Sequence, residues 1–425
     1  MRKALLIPAA TLLLGMLASA GLAFGQSAPA PAAAQAPAPA PVVVAAPAAT
    51  KVQQGEYLAR AGDCISCHSV PGAQPFAGGL RLNTPFGYLL SPNITPDKET
   101  GIGDWSADDF ARAVQRGVNV RGHYLYPAMP FDFYTKASRD DIDAIFAYLK
   151  TVAPVRNQVE ANHLSFPFDI RASMVAWREL YFNEGPYKPD PKQSASWNRG
   201  AFLVEGFGHC SDCHSPRNLL GGIEQAKDQT GAVIDGWFAM NLTSNIATGL
   251  GSWSVADIAN YLKTGVLAGK TTALGPMQQV VQNSTSYLTD ADRTAMAEYL
   301  KSLPANSSLY TGRKGPDPTR VAGAKLYLDR CSACHQDKGV GIGGVIPPLA
   351  GNPVLVAPDP ADVIKLILGG AAAHGQMIAM PGFSNQITNQ DVADIANYVR
   401  TSWGNTGAPN ATVEVVAKLR KTPMN

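Results

Sequence analysis

Cys-x-x-Cys-His occurs three times in this chain, and the three copies use all six of its cysteines. They read Cys64-Ile65-Ser66-Cys67-His68, Cys210-Ser211-Asp212-Cys213-His214 and Cys331-Ser332-Ala333-Cys334-His335. Two thiols at this spacing can add to the two vinyl groups of one haem, and the next residue then faces the iron as an axial imidazole. The pattern points to three covalently bound c-type haems. Cys64, Cys67, Cys210, Cys213, Cys331 and Cys334 are the attachment points, and His68, His214 and His335 are iron ligands. The expected chemistry is electron transfer. A Cys-x-x-Cys pair also serves in redox and zinc motifs. Zinc, however, asks for paired half-sites, whereas each pair here has its own histidine in line.

The chain repeats itself around these motifs. Short helices are expected before each one, at Gly55-Glu56-Tyr57-Leu58, Gly200-Ala201-Phe202-Leu203 and Gly323-Ala324-Lys325-Leu326-Tyr327. Each repeat closes with a second helix. Those helices begin at Ser138-x-x-Asp141, Thr289-x-x-Asp292 and Thr388-x-x-Asp391, a variant of the capping box. Ten residues past each cap stands a tyrosine: Tyr148, Tyr299 and Tyr398. The first two copies resemble each other most. Asn93-Ile94 and Gly103-Asp104-Trp105-Ser106 match Asn245-Ile246 and Gly251-Ser252-Trp253-Ser254. The expected fold is all-α: three tandem cytochrome c domains at about 52–155, 196–305 and 318–405, with a connector at 156–195 and a tail at 406–425. Haem fills the centre of modules otherwise short of core.

Each repeat also offers a methionine just before its closing helix. These are Met129 in Pro127-Ala128-Met129-Pro130, Met277 in Gly275-Pro276-Met277 and Met380 in Ala379-Met380-Pro381. A thioether is a soft axial ligand that does not titrate and raises the potential, so Met129, Met277 and Met380 are expected to complete the iron ligation. The competing reading is core packing, a common role for methionine. Met377 is a rival to Met380, and His123 and His374 lie near enough to the methionine loops to compete. His209 is expected to be exposed. Arg217 reads equally as a partner for a haem propionate or as a surface arginine. The Pro347-Pro348 pair is expected to give a backbone carbonyl to His335 Nδ1, with Pro71 or Pro75, and Pro216, in that role elsewhere.

The remaining sequence constrains location. Arg2 and Lys3 precede an apolar run from Ala4 to Ala23 with small-residue exits, the pattern of an export signal over 1–25. The run is long enough that a retained anchor stays open. Residues 26–51, mostly Ala, Pro and Val, form an extended tether. The chain carries a formal net charge of +2, which becomes zero without Arg2 and Lys3. Such a balance excludes the basic footprint of nucleic-acid binding. The connector is rich in apolar residues, among them Phe166, Ile170, Trp177 and Leu180. It reads as packing between domains or as a docking surface for a partner or membrane. Val413 to Lys421 is a mixed apolar and basic stretch compatible with a membrane surface. No nucleophile–base pair or dinucleotide fingerprint is evident, so no substrate chemistry is expected of the chain itself.

Over residues 53 to about 404 the sequence resembles the triheme cytochrome c subunits of bacterial membrane-bound dehydrogenases. Those subunits accompany quinoprotein alcohol dehydrogenase and the flavoprotein gluconate, sorbitol and fructose dehydrogenases, with related forms beside aldehyde dehydrogenases. The resemblance rests on Gly55-Glu56-Tyr57, Ser91-Pro92-Asn93-Ile94-Thr95-Pro96-Asp97, Gly101-Ile102-Gly103, Tyr126-Pro127-Ala128-Met129-Pro130, the three haem motifs and Pro347-Pro348-Leu349-Ala350-Gly351. It implies an electron-transfer subunit at the periplasmic face of the cytoplasmic membrane. Its partners would be a catalytic dehydrogenase subunit of flavin, quinoprotein or molybdenum type, and ubiquinone. The tether departs from the family pattern. Two other readings remain: a freestanding multihaem carrier or oxidase subunit, and a multihaem peroxidase with one open iron.

Overall fold

The computed structural model describes residues 49–310 and 320–422; the export signal and the tether up to residue 48 lie outside the described residues. Helices begin where the sequence supplies caps. The Ser138 hydroxyl accepts the Asp141 amide and starts the helix Arg139–Leu149. Thr289 does the same for Asp290–Ser302, and Thr388 for Asn389–Thr401. In the first and third, the aspartate also reaches back to the cap amide, so both ends of the box are made. In the second, Asp292 turns elsewhere. It accepts from the Tyr57 hydroxyl at 2.6 Å and from Arg199 at 2.9 and 2.8 Å.

Each closing helix lies against the helix that opens its repeat. Lys51–Ala61 packs on Arg139–Leu149, Ala195–Phe202 on Asp290–Ser302, and Arg320–Arg330 on Asn389–Thr401. Two apolar clusters result. One joins the first two repeats, with Leu58, Phe110 and Ile145 beside Val204, Ile258 and Met296. The other belongs to the third repeat and centres on Tyr327, Ile364 and Ile395.

The all-α expectation needs correction to a helix-rich fold with short hairpins. Arg81–Thr84 pairs antiparallel with Gly87–Leu90, which His163–Leu164 extends on its other edge. Ala232–Ile234 pairs with Trp237–Ala239, and Val266–Leu267 with Thr271–Thr272. These strands span two to four residues. That is too short for an alternating pattern to stand out in the sequence.

The match between the first two repeats also needs a new register. Asn93 donates to Thr100 and to Val155 O, and accepts from the Thr95 amide. Asn241 makes the same three bonds, to Thr248, Asn306 O and the Thr243 amide. Asn93-Ile94 therefore corresponds to Asn241-Leu242, not to Asn245-Ile246. Asn245 takes the place of Asp97, accepting the Thr248 amide as Asp97 accepts that of Thr100.

The connector is bound into the fold. Beyond its strand, the helix Ser173–Tyr181 buries Trp177, which meets the Phe131 ring edge-on at 6.2 Å. Tyr181 reaches the second repeat, where Asn218 Nδ2 donates to its hydroxyl at 3.2 Å. The outer face stays apolar and exposed at Phe166, Ile170, Val175 and Leu180. The membrane-surface reading of the tail does not survive. The helix Val413–Arg420 turns Val416 and Leu419 into the third-repeat core, so its apolar face is spent on packing. Among the described residues no helix is long and apolar enough to cross a membrane.

Candidate functional site

The three motif histidines are held alike. His68 Nδ1 lies 2.8 Å from Pro92 O, His214 Nδ1 2.6 Å from Met240 O, and His335 Nδ1 3.2 Å from Pro347 O. A carbonyl oxygen only accepts, so each Nδ1 carries the proton and each Nε2 presents its lone pair. Burial pulls all three below the usual imidazole range, with the carbonyl contact opposing. A neutral, oriented imidazole is the form that binds a metal. The Pro347 contact agrees with the sequence expectation. Pro71, Pro75 and Pro216 do not play that part. Pro92 and Met240 supply the carbonyls instead, because the hairpin before each lays its trailing segment along the imidazole.

Two of the expected ligand pairs line common cavities. Cys210, Cys213, His214 and Met277 line a cavity of about 210 Å³ walled by apolar side chains such as Leu250 and Ile258. Cys331, Cys334, His335 and Met380 line a second of about 440 Å³. Met377 opens onto the second cavity too. Both are fixed by paired backbone bonds, Met380 to Ala371 at 2.9 and 3.0 Å and Met377 to His374 at 3.0 and 3.1 Å. In the first repeat, Cys64 and Met129 pack against the same buried cluster. The turn after Met129 comes back to the motif, where the Tyr134 hydroxyl donates to Gly62 O at 2.6 Å.

These residues fit haem and do not fit a bare metal ion. Burial pushes the Cys64, Cys67 and Cys210 thiols up to about 12 and Cys331 up to about 11; Cys213 is also raised. Neutral thiols in apolar surroundings are poor zinc ligands, since the thiolate is the binding form. Among the described residues no three His, Cys, Asp or Glu side chains are placed to hold an ion. The donor set suits an apolar group that brings its own metal, which the thiols would bond covalently and the imidazole and thioether would ligate.

The other expected residues fall variously. His209 is not exposed: its ring lies edge-on to Phe133 and Tyr134, and it precedes Cys210 in a left-handed conformation at φ 34°. Asp63, before Cys64, has the same turn at φ 49°. His374 Nε2 is engaged with Thr264 O at 2.6 Å, which withholds it from an iron. His123 is exposed. Arg217 pairs with Asp212 inside the second motif and donates to Gly221 O at 2.7 Å.

A family model described as Cytochrome c matches residues 52–153 and 321–403, around the first and third motifs. The gluconate 2-dehydrogenase cytochrome c subunit of Pantoea cypripedii is 40% identical over 395 residues, which cover 87% of this chain and 89% of that protein. The cytochrome c subunit of alcohol dehydrogenase (quinone) from Gluconobacter oxydans (strain 621H) is 38% identical over 87% of this chain and 82% of its own. The chain belongs to the family of dehydrogenase cytochrome c subunits. A third member, the fructose dehydrogenase cytochrome subunit of Gluconobacter japonicus, is 36% identical over 88% of this cytochrome and 84% of its own length. Membership brings covalently bound haem c and an electron-transfer role. Sequence reasoning missed the carbonyls of Pro92 and Met240 in this cytochrome. The only sequence signal for them is the Asn-x-Thr that follows each: Asn93-Ile94-Thr95 and Asn241-Leu242-Thr243.

Proposed function

We propose that this cytochrome folds as three tandem haem domains, at about 52–155, 196–305 and 318–405, and carries three haems c. Cys64 and Cys67, Cys210 and Cys213, and Cys331 and Cys334 form the thioether links. His68 with Met129, His214 with Met277 and His335 with Met380 are the axial pairs. Bound haem supplies a one-electron couple at each site. The protein's residues hold two strong ligands in place, exclude water with apolar walls and fix each imidazole through its Nδ1–H, so little reorganises on electron arrival. The chain itself oxidises no substrate. It receives electrons from a catalytic dehydrogenase subunit and delivers them to ubiquinone, at the periplasmic face of the cytoplasmic membrane after export.

The observation that carries this reading is the common pose of the three motif histidines, each Nδ1 on a backbone carbonyl and each Nε2 free. The relatives named as dehydrogenase subunits support the partner. The test is isolation from native membranes. The preparation should contain three haems per chain, a dehydrogenase subunit should co-purify, and one class of substrate among sugars, sugar acids, alcohols and aldehydes should reduce the haems and then a ubiquinone analogue. A chain at its bare amino-acid mass, or purification with no catalytic partner, would overturn it.

A further inference from the structure

Trp237 is a side chain that the ligand scheme does not use. It opens the strand Trp237–Ala239 in the second repeat, three residues before the carbonyl that fixes His214. Yet it lines both cavities, the one holding His214 and Met277 and the one holding His335 and Met380. The equivalent position of the first repeat, three before Pro92, is Leu89.

The third repeat grips this hairpin on both sides of the indole. Asp362 accepts the Phe238 amide at 2.7 Å, and Lys365 donates to Asp235 O at 2.8 Å. Both come from the helix Ala361–Gly369, and the Lys365 ammonium stands 4.7 Å over the Trp237 ring. A further contact belongs to the helix that carries Met277. A Cβ on Gly275, which has φ +51°, would lie 2.5 Å from the indole. The helix Gly275–Asn283, which carries Met277 in its first turn, thus begins directly against Trp237.

The indole N–H is buried and has no partner among the described residues. Leaving such a donor unpaired is costly, and a native exception asks for an explanation. Haem carries two carboxylate side chains, and a carboxylate is an acceptor that an N–H beside an ammonium suits.

We propose that Trp237 is a shared haem-contacting residue: its ring is the partition between the second and third haem sites, and its N–H donates to a haem carboxylate there. The proposal rests on the haem reading above. It makes Trp237 both a path for electrons between two sites and a setting for the potential of one of them.

The test uses full-length holoprotein and two variants, Trp237→Phe and Trp237→Leu. Haem content per chain is measured first; wild-type protein lacking haem at the second or third motif overturns the haem reading itself. Trp237→Phe keeps the ring beneath Gly275 and removes only the N–H. A carboxylate that loses its donor holds more negative charge near the iron and favours the ferric state, so one haem should become harder to reduce. The expected change is about tenfold in its reduction equilibrium, or about 59 mV for one electron, with the other haem potentials unmoved. In Trp237→Leu, electron equilibration between the two sites after rapid photoreduction should slow at least tenfold. Three bound haems with every potential unchanged in Trp237→Phe would overturn the proposal, and that variant decides it even where Trp237→Leu loses haem.

Discussion

Gly55 and Ala144 meet so closely that a Cβ on the glycine would lie 1.8 Å from the alanine carbonyl oxygen. Gly200 stands in the same relation to Ala295, at 1.9 Å, and Gly323 to Asp394, at 2.3 Å. All three carbonyls lie six residues past a helix cap, after Ser138, Thr289 and Thr388. The same helix crossing is therefore built three times, each time around a residue with no side chain. It brings the Cys-x-x-Cys-His segment, which follows the opening helix, toward the methionine segment, which precedes the closing one.

Gly55→Ala and Gly200→Ala should each push the crossing helices apart. Overpacking of this kind typically costs about 1–3 kcal/mol. Denaturant unfolding should show the loss, with reduced haem retention in the affected repeat. Gly343→Ala is the control, because nothing lies within 4 Å of a Cβ there. Equal stability of all three variants would remove the close crossing as a structural requirement.

Loss of a thioether should open one iron and leave the others as they were. Met129→Ala and Met277→Ala should each convert one haem toward high spin, read by electronic absorption and paramagnetic resonance, and slow quinone reduction. In the third repeat the same change should follow Met380→Ala and not Met377→Ala. Both sulfurs open onto that cavity, so the pair of variants distinguishes them. An unchanged spectrum in Met380→Ala with a high-spin signal in Met377→Ala would reverse the assignment.

The parts of this molecule that were legible in the sequence are those in which chemistry imposes local spacing. Cys-x-x-Cys-His must be contiguous to hold one haem, and a Ser-x-x-Asp cap must precede its own helix. What was not legible depends on contacts between distant segments. A backbone carbonyl has no residue signature, so Pro92 and Met240 gave no sign of their role beyond the Asn-x-Thr that follows each. The dipeptide Asn245-Ile246 repeats the letters of Asn93-Ile94, while the bonding role belongs to Asn241, whose partners include Asn306 far along the chain. The tail looked amphipathic because it is, but its apolar side faces Ile364 and its neighbours in the third-repeat core rather than a membrane.

The seam between the second and third repeats should make stability depend on pH. Burial pushes the Asp362 carboxyl up to about 7; the Phe238 amide pulls the other way, Asp359 adds to the rise, and Lys365 and Arg400 oppose it. An unfolded aspartate titrates near 3.9. Between these values the folded protein holds a proton that the unfolded chain has released, so stability falls as pH rises from about 4 to about 7. The slope is at most about 1.4 kcal/mol per pH unit, and the loss is complete above about 7. Asp362→Asn keeps an acceptor for the Phe238 amide and removes the titration. Its stability relative to the parent should climb across that window in denaturant titrations. Parallel curves from pH 4 to 7 would mean that Asp362 is ionised in the fold.

Asn241 should matter more than its distance from the iron suggests. It is buried, and its amide ties the segment after Met240 to Asn306 O at 2.7 Å and to Thr248 at 3.1 Å. Its own oxygen accepts the Thr243 amide at 2.8 Å. Asn241→Ala leaves the Thr243 amide without its partner and the Asn306 carbonyl with the Thr243 hydroxyl alone, at a cost of about 1–3 kcal/mol for the unpaired buried amide. The Met240 carbonyl is one residue away and holds His214 Nδ1, so the slackened segment should free the imidazole to rotate. The expected outcome is a less stable second repeat and a shifted potential for its haem alone. Asn93→Ala should do the same to the first haem, through Pro92 and His68. If the two variants lost stability while every haem potential stayed put, the carbonyl contact would have no hold on the iron, and the asparagines would serve only to close their loops.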